Sequence, residues 1–379
     1  MSFKYSLNLA DFGDYIRAGS LLADRTNPYE SLMYANSPVS ALFFYLISLL
    51  IPFSILPIMI HLLNVIGIVF FLKWYLSQKL NALVFYILSL LLVSGAGRAL
   101  FGNVQVTGIT LGLVAAAFAI NTKYKFNLLP IFLLLLAFEI KAQIAIPFLV
   151  LYIFQGVRAF KKIFIFIVSL LSVHASIEMY YGGNLHLVWL KKVIKYSQNS
   201  VLESSYEISI WKSINDILDQ EQLIRILSTI TVLFLLLLII KFSNQNSEKA
   251  IFFALVFPIF NSYVHLYDFI GVLLIAVKYV SVGRFDKIVL VSPFLFIFPL
   301  SKNLFYCSIL IELFLLIIVL YKFRNMAYAG LIFGLFIYQV FMFSHLINRY
   351  QEIQMSFYLS IPTLLLSIYT YRNTFKNSS

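Results

Sequence analysis

The sequence has little charge and almost no cysteine. Only 12% of its 379 residues are Asp, Glu, Lys or Arg, about half of the roughly 25% found in soluble domains. A single cysteine, Cys307, excludes a disulfide framework within the chain and any multi-cysteine metal site. Apolar residues make up 61% of the chain, more than a soluble fold can bury. A soluble enzyme, a nucleic-acid-binding protein and a disordered chain are therefore excluded.

The sequence also lacks the motifs of nucleotide and metal chemistry. There is no P-loop, no Gly-rich dinucleotide motif, no nucleophile elbow and no zinc-type His-Glu cluster. His61, His174, His186 and His345 are scattered and do not have metal-ligand spacing. We therefore expect no metal and no cofactor, and neither ATP-driven pumping nor cytoplasmic nucleotide-sugar chemistry.

Long apolar runs fill the chain from residue 39 onward. Because a spanning helix needs about 20 residues, these runs predict an all-α, polytopic membrane bundle of about thirteen spanning helices. The predicted spans are 57–73, 82–96, 104–120, 127–140, 142–157, 163–181, 223–241, 250–263, 264–280, 287–300, 304–321, 327–344 and 355–371. The net charge of +12 then belongs to loops on the cytoplasmic side rather than to a nucleic-acid surface.

The short loops alternate between strongly and weakly basic. One set carries two or three Lys or Arg residues per loop, and the other carries one each, at Arg98, Lys141, Lys302 and Arg349. Since cations in short loops mark the cytoplasmic side, we expect residues 1–38 and 182–222 to face outward. The sequence thus predicts a multi-pass protein of the cell membrane in four parts. These are an outer-face segment with amphipathic and re-entrant helices at 1–56, a first bundle at 57–181, a long extracytoplasmic loop at 182–222 and a second bundle at 223–379.

The apolar segment 39–51 has two interpretations. About thirteen residues between Pro38 and Pro52 is the length of a re-entrant or interfacial helix, which keeps the charge alternation intact. The alternative is a thin spanning helix with residues 1–38 in the cytoplasm. Residues 1–38 contain no signal peptide, so we expect a further helix, upstream of the start, to carry them across the membrane.

The first predicted helix carries two carboxylates. Asp11, Asp14 and Tyr15 follow at i, i+3 and i+4, on one helical face, with Phe12 and Ile16 opposite. This pattern indicates an amphipathic helix on the outer surface. The acids are then either an N-cap with a solvated neighbour or a general base at the mouth of a lipid-lined cavity.

Further polar residues cluster at predicted outer helix ends. They are Arg98, Asn103 and Gln105 in one loop, Glu139, Lys141 and Gln143 in a very tight turn, and Asn261, His265 and Asp268 in a third loop. Lys141 either suits a lipid phosphate or snorkels to the headgroups. His265 is either an imidazole oriented by Asp268 or part of a helix-end pair. Glu312, in mid-span, indicates either structural pairing or function.

In their order and placement these residues resemble glycosyltransferase family 87, whose members have the GT-C fold. The opening elements of the family are matched by Asp11-Phe12-Gly13-Asp14-Tyr15, Ala18, Leu21-Leu22, Asn27-Pro28-Tyr29, Tyr34 and Ser37-Pro38. The later elements are matched by Gly102-Asn103-Val104-Gln105, by Lys141 with Pro147, by Arg158, Lys161 and Lys162, by Gln198-Asn199-Ser200 and by Ser262-Tyr263-Val264-His265. The similarity runs from residue 11 to about residue 280.

The resemblance implies a membrane hexosyltransferase of the GT-C type. Its donor would be a polyprenyl-phosphate sugar carrying a mannose-like hexose, and its acceptor an envelope glycan or glycolipid at the extracytoplasmic face. Asp11 would act as the general base, with Asp14 as its substitute. The residues implied in substrate binding are Tyr15, Arg98, Asn103, Gln105, Lys141 and His265. Its partners would be membrane lipid, the lipid-linked donor and the acceptor, and not nucleic acid.

Three other functions remain open on the sequence. A polysaccharide polymerase or ligase acting on lipid-linked glycans would be expected to use arginines in large outer loops, but the 182–222 loop has no arginine. A transporter would favour internal repeats and broken, charged helices near the midplane, and we find no repeat. A membrane scaffold without enzymatic activity is the third alternative.

Overall fold

The described part of the chain is helical. The computed structural model describes residues 10–31, 36–52, 54–76, 100–101, 104–121, 128–156, 158–203, 211, 214, 220–261, 270–271 and 274–275, and these contain no strand. The helices are α1 (Ala10–Ala23), α2 (Pro28–Ser31), α3 (Pro38–Leu50), α4 (Leu56–Leu76), α5 (Thr107–Asn121), α6 (Leu129–Phe154), α7 (Ala159–Tyr181), α8 (Leu185–Glu203), α9 (Glu221–Ser243) and α10 (Ser247–Val256). A 3₁₀-helix, Phe257–Phe260, follows α10 directly.

The chain divides into two compact units built from interleaved segments. The first comprises Met1–Gln78, Ala99–Glu203 and Leu233–Phe257, and the second comprises Lys79–Arg98, Ser204–Val232 and Pro258–Ser379. Helices α1 to α8 lie wholly within the first unit. The four-part division predicted from charge and hydropathy stays a prediction.

Four of the described helices, α4, α6, α7 and α9, are long and apolar enough to cross a membrane. Helix α7 leaves large apolar side chains uncovered, among them Phe160 at 89% exposure and Phe164 at 68%. Apolar surface of this extent is rare on soluble proteins and fits contact with lipid. The prediction of a helical membrane protein is confirmed, whereas the number of spans and the GT-C fold stay predictions.

Several predicted spans coincide with observed helices. The predictions 57–73, 104–120, 163–181 and 223–241 correspond to α4, α5, α7 and α9 within four residues at each end. The segment 39–51 is the helix α3, which Pro38 opens and which Ser37 caps by accepting a hydrogen bond from the Ser40 N–H. The predicted spans 82–96, 287–300, 304–321, 327–344 and 355–371, and most of 264–280, lie outside the described residues.

Helix α1 forms as predicted but does not present the predicted faces. Tyr15, expected on the polar face, is buried together with Phe12, and both rings pack edge-on against Phe44 of α3 at 5.1 Å between centroids. Gly19 of α1 lies directly against the backbone of Ala41, which is also on α3. Because residues three apart share a helical face, Phe12 and Tyr15 belong to one apolar stripe. Helix α1 therefore packs its apolar stripe on α3, and its placement on the outer membrane surface stays a prediction.

The predicted outer loop 182–222 is largely helical in its first half. Helix α7 ends at Gly182, whose φ of +74° is a left-handed cap and whose N–H donates to the Glu178 carbonyl. Helix α8 begins three residues later and packs against α7. Helices α7 and α8 therefore form a helical pair joined by a short turn, and the extracytoplasmic position of 182–222 stays a prediction.

Helix α6 is interrupted at Lys141, whose φ of −155° and ψ of 83° are not helical. After the break the helix runs alongside α5 in the same direction, since Lys141 contacts Thr107 at the start of α5 and Tyr152 contacts Phe118 near its end. Residue 129, where α6 begins, comes only 8 residues after residue 121, where α5 ends (129 − 121), so these two helix ends lie at most about 29 Å apart. If α6 were straight, its first residue would lie about 39 Å from the end of α5. The chain therefore turns back sharply at Lys141, where the sequence predicts a tight turn.

Helices α4 and α5 cross at their backbones. A Cβ added at Gly108 would lie 2.5 Å from the Asn64 carbonyl oxygen, and one added at Gly112 would lie 2.7 Å from the Gly67 Cα. Small residues of this kind let membrane helices approach closely. The contact fixes the start of α5 against the middle of α4, and it thereby positions the turn before α5.

We expect Gly108→Ala to destabilise the protein. In an ordinary helix interior this change stabilises by about 0.5–1 kcal/mol, but here the new methyl group meets the α4 backbone, and overpacking costs about 1–3 kcal/mol. Thermal unfolding in detergent measures the difference. Gly183→Ala is the control, because its Cβ would meet only the Tyr181 ring. Equal melting temperatures for Gly108→Ala and wild type would contradict the backbone crossing.

Candidate functional site

Half of the predicted site residues lie in the described part of the chain. Asp14, Tyr15, Gln105 and Lys141 are described with their side chains. Asp11 occupies the first turn of α1, but its side chain lies outside the described residues. Three more, Arg98, Asn103 and His265, also lie outside them, as does Glu312.

The structure brings three of the predicted segments together. Tyr15 of α1, Val104 and Val106 of the turn before α5, and Ile140 of α6 belong to one buried apolar cluster. Gln105 lies between the two valines and is itself buried. The segments that carry Tyr15, Gln105 and Lys141 therefore meet. Tyr15 contributes its ring to the apolar packing at this meeting point.

Lys141 is a buried cation at the break of α6. Only 5% of the residue is exposed, and its Nζ donates to the Thr107 Oγ1 at 2.9 Å. Thr107 is the first residue of α5, and the second half of α6 begins directly after Lys141. Helix N-termini carry partial positive charge, so an ammonium group and two helix N-termini converge here. Such an arrangement favours an anion.

Asn64 holds the turn before α5 in place. Its side-chain amide donates to the carbonyls of Ile60 and Gln105, and its Oδ1 accepts from the Ile109 N–H at 3.2 Å. Val104 in this turn has a φ of +48°, a conformation rare for a β-branched residue. The buried amide of α4 thus satisfies backbone groups that the sharp turn leaves without helical partners.

A second polar group begins at Glu139, which the sequence analysis named, and continues through three partners that it did not find. Glu139 Oε1 bonds to His174 Nε2 at 2.9 Å, and His174 Nδ1 bonds to His186 Nε2 at 2.6 Å. His186 Nδ1 in turn bonds to a carboxylate oxygen of Glu178. We call these four residues the Glu–His–His–Glu chain. It joins α6, α7 and the first turn of α8.

The two ends of the Glu–His–His–Glu chain differ in their surroundings. The Glu139 side chain is 1% exposed, and its Oε2 has no hydrogen-bond partner among the described residues. Glu178 is 31% exposed as a side chain and accepts the backbone N–H groups of Leu185 and His186 at 2.9 and 3.0 Å. The Glu139 end is therefore buried, with one carboxylate oxygen that has no partner among the described residues, and the Glu178 end is hydrogen-bonded and partly exposed.

Aromatic residues surround the Glu–His–His–Glu chain. The Trp189 ring of α8 stacks on the His174 imidazole, with 5.7 Å between centroids and 12° between planes. Tyr29 of α2 is buried and donates its hydroxyl to the Asn36 carbonyl at 3.1 Å. Burial, and secondly the negative charge of Glu139, raises the pKa of the Tyr29 phenol well above its usual value. This effect places Tyr29 within electrostatic range of Glu139.

The four residues of the Glu–His–His–Glu chain are hydrogen-bonded one to the next, and they do not surround a common centre as metal ligands do. Within the part of the chain that the structure describes, no group of three or more His, Cys, Asp or Glu residues could hold a metal ion. The arrangement is therefore suited to protons, which pass along hydrogen bonds, and not to a metal cation. Polar side chains in apolar helices at Glu139 and His174 were the available sequence signal, but pairing across 35 residues has no local pattern.

Comparison of the chain with protein-family models, with curated proteins and with solved structures found no match. The resemblance to glycosyltransferase family 87 therefore stays a prediction.

We expect Asn64→Ala to weaken the fold at the turn that carries Gln105. The change leaves the Ile109 N–H and the Gln105 carbonyl without the amide, and each buried unpaired group costs about 1–3 kcal/mol. Thermal unfolding in detergent measures the loss. Ser172→Ala, at an exposed position of α7, is the control and is expected to be nearly neutral. Equal unfolding temperatures for the two variants would show that Asn64 does not hold the turn.

Proposed function

We propose that this protein is a membrane glycosyltransferase. It transfers a mannose-like hexose, with inversion, from a polyprenyl-phosphate donor to an envelope glycan or lipid acceptor at the extracytoplasmic face. The proposal rests on the resemblance of the ordered motifs to glycosyltransferase family 87. It is supported by the meeting of three motif segments, those of Tyr15, Gln105 and Lys141, around one apolar cluster.

The single observation that supports the proposal most is the position of Lys141. A buried lysine is costly unless an anion or a polar group receives it, and here it is held by Thr107 where two helices begin. A polyprenyl-phosphate sugar presents a phosphate at the membrane interface with its chain among the lipids. Helix N-termini and a lysine ammonium match that phosphate in charge, and the apolar cluster beside them matches the lipid chain.

The reaction proposed needs one base and one site for the leaving group. Asp11 accepts the proton of the acceptor hydroxyl as its oxygen attacks the anomeric carbon, and general-base catalysis of this kind contributes about 10²–10⁴-fold. The bond from the anomeric carbon to the phosphate oxygen breaks, and polyprenyl phosphate leaves. Lys141 stabilises the charge of that phosphate. The family resemblance implies a further phosphate contact for Arg98 and an orienting role for His265.

A proton-coupled transporter is the second candidate function, and one observation favours it. Chains of Asp, Glu and His residues inside membrane helices mark proton pathways in pumps and transporters, and the Glu–His–His–Glu chain is such an arrangement. Proteoliposomes separate the two candidates. A transferase produces a new glycosidic bond, whereas a transporter moves its substrate without making one.

We expect Lys141→Met to reduce transfer from a polyprenyl-phosphate hexose about 10²-fold or more, since an electrostatic contact to the leaving group is worth that much. The measurement is product formation by purified protein in liposomes. Lys141→Arg should restore part of the activity because the charge is kept. Lys73→Met, at an exposed position in the last turn of α4, is the control. Full activity of Lys141→Met would exclude Lys141 from the phosphate site.

We expect Asp11→Asn to lose about 10²–10⁴-fold in transfer rate while the donor still binds, because only the proton acceptor is removed. The same liposome assay, with the donor at saturation, measures the rate. Asp14→Asn tests whether the neighbouring carboxylate is the base instead. Transfer at the wild-type rate in both variants would remove the general-base assignment.

A further inference from the structure

We propose that Glu139, His174, His186 and Glu178 form a proton relay, which takes up a proton at the buried Glu139 Oε2 and exchanges protons with water at Glu178. The proton donor at the buried end is a hydronium ion, which leaves as water. The inference is independent of the proposed function, because it uses no residue of the phosphate site. It rests on three consecutive hydrogen bonds between groups on three helices.

The hydrogen bonds of the relay fix where its protons lie. Glu178 accepts two backbone N–H groups, which hold it as a carboxylate, so His186 Nδ1 carries a proton. At 2.6 Å a single proton lies between His186 Nε2 and His174 Nδ1, because two facing N–H groups would repel. Another proton lies between His174 Nε2 and Glu139. Three protons thus occupy the three bonds.

The same three protons give two arrangements of charge. In the first, Glu139 is a carboxylate, His174 is neutral with its proton on Nε2, and His186 is an imidazolium. In the second, the proton between His174 and Glu139 has moved to Oε1, and the proton between the two histidines has moved to His174 Nδ1. His186 is then neutral and Glu139 is a neutral acid. Both arrangements have a net charge of −1, so two proton shifts move a positive charge from His186 to Glu139.

The Oε2 atom of Glu139 gives the relay a position where a proton can enter. Glu139 Oε2 is buried and has no hydrogen-bond partner among the described residues, and buried polar atoms are normally paired. In the first arrangement Oε2 accepts a fourth proton from a hydronium ion, which leaves as water, while Oε1 keeps the bond from His174. The entering proton neutralises Glu139. The His186 imidazolium then releases its Nδ1 proton past Glu178, the partly exposed end.

Several titratable or charged groups lie on the elements around the relay. The Tyr29 phenol is within electrostatic range of Glu139, and the Tyr181 phenol is within range of Glu30 and Glu178. The other titratable or charged groups described on the neighbouring elements are Asp14, Tyr15, Arg17, Asp24 and Arg25 on or next to α1, Tyr45 on α3, Lys141 and Tyr152 on α6, Arg158, Lys161, Lys162 and Tyr180 on or next to α7, Lys191 and Lys192 on α8, and Glu248 and Lys249 on α10, which packs against α6. Both phenols are neutral over the acidic and neutral range, so they add no charge to the relay there.

Trp189 provides a reporter of the relay. It stacks on His174 and packs edge-on against His186 at 6.2 Å, and an imidazolium quenches indole fluorescence. Trp74→Phe with Trp211→Phe leaves Trp189 as the only tryptophan of the chain. We expect its fluorescence to rise with pH as the relay loses a proton. Glu139→Gln and Glu178→Gln each remove a negative charge and should move the midpoint about one pH unit or more downward.

Glu248→Gln is the matched control for the fluorescence titration. Glu248 is an exposed carboxylate in the first turn of α10, and its charge acts on Tyr75 of α4, so its removal should leave the midpoint near the wild-type value. Glu139 bonds to His174, on which Trp189 stacks, so a shift in Glu139→Gln reaches the indole through that contact. A midpoint in Glu139→Gln that moves no further than in Glu248→Gln would overturn the relay.

Infrared difference spectra between acidic and neutral pH test the relay without tryptophan substitutions. A protonated Glu139 should give a C=O stretching band that is absent in Glu139→Gln. In Glu178→Gln the band should remain but appear at a different pH, because both carboxylates belong to one titrating chain. A band that survives in Glu139→Gln, or that appears at the same pH in Glu178→Gln as in wild type, would contradict the proposal.

Discussion

The packing of the first unit depends on one buried break in a helix. At Lys141 the backbone of α6 leaves the helical conformation for a single residue, and the chain turns back toward α5. A helix interrupted inside a membrane protein exposes N–H groups that must be satisfied within the protein. Beside the break, α4 and α5 cross closely through their glycines, Thr107 accepts the hydrogen bond of the Lys141 ammonium, and Asn64 donates to the Gln105 carbonyl.

Glu139 and Lys141, two positions apart at the break of α6, have different neighbours. Here Lys141 reaches Thr107 of α5, while Glu139 reaches His174 of α7. The acid and the cation are thus kept close in the chain but attached to separate hydrogen-bond networks. Each network can change its protonation or its ligand without breaking the other.

Much of the fold follows from hydropathy, because lipid leaves few choices for a long apolar segment. The bounds of α4, α5, α7 and α9, and the turn at Lys141, were predictable for this reason. The burial of Tyr15 was not, because the acids beside it suggested a polar face and only the contact with Phe44 decides the packing. The helix α8 was missed because its polar sequence, with mean hydropathy far below that of the spans, has no membrane signal.

The site was predictable in part. Lys141 and Gln105 were selected because they are polar residues at predicted outer ends of helices and match motifs of the family resemblance. The partners themselves, Thr107 for Lys141 and His174 for Glu139, are 34 and 35 residues away in the chain, and no local pattern encodes such pairs. Histidines that are scattered in the sequence, His174 and His186, meet because the short turn at Gly182 returns α8 onto α7.

The Lys141–Thr107 pair and the Glu–His–His–Glu chain are linked by charge rather than by shared hydrogen bonds. A buried carboxylate and a buried ammonium each cost several kcal/mol when isolated, and Glu139 and Lys141 lie two positions apart in a region where nearly all other side chains are apolar. Opposite charges this close along the chain attract each other, so a proton on Glu139 would remove negative charge near Lys141 and strengthen its attraction for another anion. A phosphate at the start of α5 and a proton on Glu139 would then favour each other's binding, a coupling that must be reciprocal.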